Sequence, residues 1–162
     1  MGSYKDSDNY RCGQSFPAVI NHPIDRTSEA TLDYNCFAYA AGDTKRPWSP
    51  LPIRPRNVYW PVDVSLDEED TIWPVIYAFE TLGYQLCDDG RLKNGVEKIA
   101  IYVDGRECPT HVAIQRGSGK WQSKLGGDID VEHSLESLES TDEFGGSLYG
   151  KAKYFMSRAR VT

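Results

Sequence analysis

The side chains best suited to nucleophilic chemistry in this chain are its 4 cysteines, and the groups that could activate them are its 3 histidines. Cys36 stands apart. It lies in Asn35-Cys36-Phe37-Ala38-Tyr39-Ala40-Ala41-Gly42, where Asn35 is a good N-cap and Gly42 occupies a C′ position. A thiol in the first turn of a helix faces unpaired N–H groups and the positive end of the helix dipole. Both favour the thiolate, which is the nucleophile. A thiol also needs a base. His111 opens the apolar run Thr110-His111-Val112-Ala113-Ile114-Gln115, where a strand-borne imidazole can lean over a sheet edge. The bland alternative is that Cys36 is core, since cysteine is among the most buried residue types. Cys12, Cys87 and Cys108 form no C-x-x-C pair, so no metal site is expected. Cys87 and Cys108 would pair only in an oxidising compartment. His133 follows Asp128, Asp130 and Glu132, and a salt-linked structural role suits it best.

The elements that must carry these groups read as follows. Residues 1–30 are polar and turn-rich, an irregular arm laid on a single domain over 31–162. A short helix carries Cys36. The loop containing Pro47, Pro50, Pro52 and Pro55 wanders, packed by Trp48, Tyr59 and Trp60. Ser65-Leu66-Asp67-Glu68 matches a capping box, and Ile72, Ile76, Phe79 and Leu82 recur at helical spacing up to Gly83. Pro74 belongs near that helix's first turn, which favours a start around Asp70. Strands are expected over 84–87, 98–103, 110–115, 121–125 and 149–156, with a short helix over 130–138. Helices followed by about five antiparallel strands define an α+β class.

The local words sharpen the chemistry. Asn35-Cys36-Phe37-Ala38-Tyr39-Ala40 resembles the Cys-x-x-Tyr-Ala segment of CHAP amidases. His111-Val112-Ala113-Ile114, followed by a Gly-Ser-Gly hairpin and a second strand, resembles the His-Val-Ala/Gly-Ile hairpin of CHAP and NlpC/P60 domains. Trp121-Gln122-Ser123-Lys124-Leu125-Gly126, with Asp130-Val131-Glu132-His133 beyond it, is similar to a Ser-Lys-x-Gly…His stretch in papain-fold domains of toxin-like bacterial proteins. The resemblance spans roughly residues 30 to 157.

That resemblance implies a papain-like fold and a thiol hydrolase, an amidase or peptidase cleaving an amide or isopeptide bond without a cofactor. Cys36 would attack and His111 would take its proton. The oxyanion would rest on the Cys36 N–H and a second donor, for which Asn35 and Tyr34 qualify by adjacency. The residue that orients His111 departs from the usual His, Asn, Gln or Glu. Ser123 falls at the expected place in the hairpin, Gln115 lies on the same strand face as His111, and Asp128 or Asp130 could fold back. Asn35, Lys124, Trp48 and Trp60 are the candidate substrate contacts, with a satellite core as the other reading of the two tryptophans. The alternatives are a catalytically inactive papain-fold binding module and a toxin-like acyl transferase acting on a protein partner.

Composition narrows the field. The chain has 162 residues, of which 40% are hydrophobic, 26% charged and 12% aromatic, a globular balance that excludes disordered and fibrous classes. Net charge is -6, with no basic block, so no nucleic-acid partner is expected. No run approaches the roughly 18 apolar residues of a membrane span, so no membrane partner is expected either. The opening Met1 to Arg11 has no apolar signal-peptide core, and Asp6 stands where a myristoylation motif wants Ser or Thr. A cytoplasmic protein acting on a peptide or protein substrate is the resulting expectation, with signal-independent secretion open and the oligomeric state unread.

Overall fold

The computed structural model describes residues 4–140 and 148–160; the Met1-Gly2 opening that begins like a myristoylation motif lies outside them. The runs rich in β-branched and aromatic residues form the centre of a sheet. They are β3 (Val96–Val103), β4 (Pro109–Gln115) and β5 (Trp121–Lys124), with β7 (Lys151–Ala159) on the far side of β3. The short β2 (Gln85–Cys87) pairs with β7. These are the strands the periodicity predicts. Two more exist, β1 (Asp25–Ser28) and β6 (Asp130–His133), so the described residues form a 7-stranded sheet in the order β1-β6-β5-β4-β3-β7-β2. Every pairing in it is antiparallel. The fold is α+β, with more strand than expected.

The helix expected over 130–138 is instead β6 followed by a 3-10 turn over Leu135–Leu138. Pairing with β5 and β1 satisfies both edges of that backbone, which outweighs the local helix signal. Residues 4–28 hold more regular structure than the irregular arm expected over 1–30. They contain α1 (Tyr4–Cys12), a 3-10 turn over Pro17–Ile20 and the edge strand β1.

Side chains alternate across each strand, so the sheet has two buried faces. Ile99, Ile101, Val112 and Ile114 pack with α2 (Cys36–Ala41), Trp48, Trp60 and α3 (Trp73–Glu80). Ala100, Tyr102, Ala113, Trp121 and Val131 pack with Cys12, Phe16 and Val19 of the lead-in and with Tyr149. α2 is short because it is capped at both ends. The Asn35 side chain accepts from Ala38 N, and Gly42 closes the helix at φ 86, a left-handed conformation that glycine adopts without Cβ strain. α3 has Pro74 in its first turn, as expected, but begins at Trp73. Ser65 caps only a 3-10 turn over Leu66–Glu68, and Asp70 turns the chain at φ 66 before α3 can start. No helix among the described residues is long and apolar enough to cross a membrane.

Candidate functional site at the β4–β5 divergence

β4 and β5 pair only through Ile114↔Gln122 and Gln115↔Trp121, then separate. The N-terminus of α2 packs against this divergence. Cys36 is 6% exposed and shares its core with Val112 and Ile114. Burial pushes its thiol up to about 11; the backbone N–H groups of Val112, Phe37 and Cys36, and then Lys124, pull the other way. The Val112 amide places the sulfur one residue along β4 from His111, so the fold brings these two regions of sequence to one place.

It does not join them by a hydrogen bond. His111 is 0% exposed, and neither ring nitrogen has a hydrogen-bond partner among the described residues. Strand alternation explains why: Val112 faces Cys36, so its neighbour His111 turns toward the opposite face. There the imidazole stacks on Tyr149, with centroids 4.1 Å apart and planes 8° apart, and meets Tyr102 edge-on at 5.3 Å. Burial holds the imidazole well below its ordinary range, with His133 adding to the effect, so it is neutral. The dyad expected from the sequence is an adjacency, with the proton-sharing contact unmade.

The expected orienting residues are committed elsewhere. The Ser123 hydroxyl lies 2.6 Å from Nε2 of His133. Nδ1 of His133 lies 2.6 Å from the Ser134 carbonyl, which can only accept, so Nδ1 carries the proton and Nε2 accepts from Ser123. Burial lowers His133 to about 4, and the imidazole is neutral and hydrogen-bonded where a salt link was expected. Gln115 does share His111's face but donates Nε2 to the Gly90 carbonyl at 2.8 Å. Asp128 pairs with Arg11, and Asp130 accepts from Ser28 Oγ and from the Tyr34 hydroxyl at 2.7 Å. None of these reaches His111.

The expected substrate contacts are scaffold. Asn35 caps α2, accepts from Trp48 N at 3.1 Å and donates to Trp48 O at 2.6 Å, so its amide is committed to the scaffold. Trp48 and Trp60 are both 4% exposed and meet edge-on, with Phe37 against Trp60. They are core, and no groove wall. Lys124 is buried, donating Nζ to the carbonyls of Thr31 and Asp128; burial lowers its ammonium from the usual range while Asp130 and Asp128 support it. Tyr149 is the group that sequence reasoning missed. It precedes the last strand with no local motif, and only tertiary packing brings it to His111.

Two openings adjoin this region. A cleft of about 470 Å³ is lined by His22, Asp25, Lys120, Glu132, His133 and Glu136 among others. A crevice of about 270 Å³ runs between Cys12 and Phe16 of the lead-in and Leu125, Asp128 and Tyr149. The described residues thus define an α+β protein with an antiparallel sheet, and a buried thiol that meets β4 one residue along from a neutral imidazole. The family described as "Domain of unknown function (DUF7689)" matches residues 25–157, and the chain belongs to it. No curated protein matches the chain, and no solved structure does.

Proposed function

We propose that the protein is a papain-like thiol hydrolase acting on an amide or isopeptide bond of a peptide or protein, with Cys36 as nucleophile and His111 as base. The observation that carries this reading is His111 itself. A buried imidazole that no described residue satisfies at either nitrogen costs about 1–3 kcal/mol per unpaired group, and a purely structural histidine would be hydrogen-bonded, as His133 is. The Cys36 sulfur lies at the Val112 amide, one residue along β4 from this imidazole, and burial keeps its thiol protonated. Transfer of the thiol proton to His111 relieves both: each new charge supplies the other's counter-ion, raising the imidazole and lowering the thiol.

In that reaction the sulfur bonds to the carbonyl carbon as its proton passes to His111. The C–N bond breaks, the proton goes to the departing amine, and a thioester remains. Water attacks it, giving its proton to His111; the C–S bond breaks and His111 returns the proton to sulfur. An acyl transferase differs only in the acceptor that replaces this water.

The test is alkylation of Cys36 by iodoacetamide, followed residue by residue from pH 6 to 11. A base-assisted thiol gives a rate nearly flat between pH 6 and 8 that falls about 100-fold in His111→Ala. A rate that climbs tenfold per pH unit towards 11, and is indifferent to His111→Ala, rejects the hydrolase. That outcome favours the second reading, an inactive binding module of the same fold. Its support is that thiol and imidazole are both buried and share no hydrogen bond, while the 470 Å³ cleft stands open.

A further inference from the structure

We propose that Tyr149 is the positioning residue for His111, its stacked ring doing the work of the hydrogen-bonding third member that no described residue supplies. The proposal rests on the thiol hydrolase reading. A base must present one nitrogen to sulfur in a fixed plane, and in a triad a hydrogen bond to the other nitrogen fixes it. Among the described residues no hydrogen bond does, yet the ring plane is set. Tyr149 lies parallel to the imidazole at 4.1 Å, and Tyr102, the register partner of His111 on β3, closes the edge. Rotation of the imidazole about its own bond would drive its edge into the phenol.

Tyr149 is itself held. Phe16 packs on it at 4.8 Å, and Thr110, the residue before His111, donates its hydroxyl to the Tyr149 carbonyl at 2.6 Å. The clamp and the base are therefore tied through one backbone position. Stacking also answers the electrostatic problem. Charge develops on His111 during proton transfer, in surroundings that disfavour it. The face of a phenol ring is negative and attracts that cation, so the same contact orients the base and stabilises its charged form. Burial keeps the phenol protonated, and a thiolate at Cys36 would hold the proton more tightly still.

The experiment compares Tyr149→Phe, Tyr149→Trp and Tyr149→Leu in the full chain, each checked for folding by circular dichroism and thermal midpoint. Two quantities are read: the rate and pH profile of Cys36 alkylation, and the His111 ionisation by NMR of histidine-labelled protein. Expected is a wild-type rate and profile in Tyr149→Phe, which keeps the ring face. Tyr149→Leu slows the His111-dependent rate about 10- to 30-fold and lowers His111's ionisation further, and Tyr149→Trp restores both. A Tyr149→Leu protein that is folded, alkylates within about twofold of wild type and titrates like it overturns the proposal, even where His111→Ala still abolishes labelling. Should His111→Ala leave wild-type labelling unchanged, the thiol reading fails separately, and the NMR comparison still decides whether Tyr149 governs the imidazole.

Discussion

Both buried histidines are neutral because burial penalises the imidazolium, and that has a consequence for stability. His133 protonates near 6.5 in the unfolded chain and at about 4 in the folded one. On acidification the unfolded state therefore binds the proton first, and stability falls between pH 6.5 and 4. Below about 4 both states are protonated and His133 contributes no further loss. The difference corresponds to roughly 3 kcal/mol, and His111 acts in the same direction. Urea midpoints between pH 7 and 4 should decline accordingly, and His133→Gln should flatten the decline; an unchanged slope in that variant would show that His133 does not contribute. Asn35 is the other residue whose effect can be stated. Asn35→Ala removes the α2 cap and both contacts to the Trp48 backbone, and should cost about 2 kcal/mol by urea denaturation.

At the scale of elements, the proline loop is anchored to α2 by its tryptophans. Trp60 meets Phe37 and Trp48 edge-on in the core, so Trp60→Ala should cost about 3–5 kcal/mol, with Trp60→Phe milder. A Trp60→Ala protein as stable as wild type would mean that the loop packs independently of the helix. The helix around Cys36 and the strands β2 to β5 and β7 were legible in the sequence because each carries a local signal: a cap, an apolar alternation or a turn; the core packing of Trp48 and Trp60, expected as substrate contacts, was not. β1 and β6 were not. Asp-Arg-Thr-Ser and Asp-Val-Glu-His are four polar-rich residues each, and they become strands by pairing with each other across the sequence. The candidate site was legible only as a choice of residues. Local words pointed to Cys36 and His111, but the face each side chain takes, and the presence of Tyr149, are set by register and packing.

For the whole molecule, the lead-in is part of the fold although the family match begins only at β1. α1 and the turn after it bring Cys12, Phe16 and Val19 onto the face of the sheet that holds His111, Tyr102 and Tyr149. Asn9 brackets the return of the chain, accepting from Ile24 N at 2.8 Å and donating to Ile24 O at 3.0 Å, and Asp8 grips Arg26 of β1. Without this segment the Tyr149 ring would lose its contact with Phe16. Phe16→Ala should therefore cost about 3–5 kcal/mol, the range for an emptied aromatic site. Tyr10 and Ile20 lie in the same segment but are 80% and 71% exposed, and alanine at either should change stability by less than about 0.5 kcal/mol. Thermal and urea unfolding of these variants separates a segment that merely adheres from one that completes the core. Three equal and small effects would mean that the sheet holds His111 and Tyr149 in place without the lead-in. A large effect confined to Phe16 makes the packing of Tyr149 on His111 a property of the whole chain, with the lead-in as one of its walls.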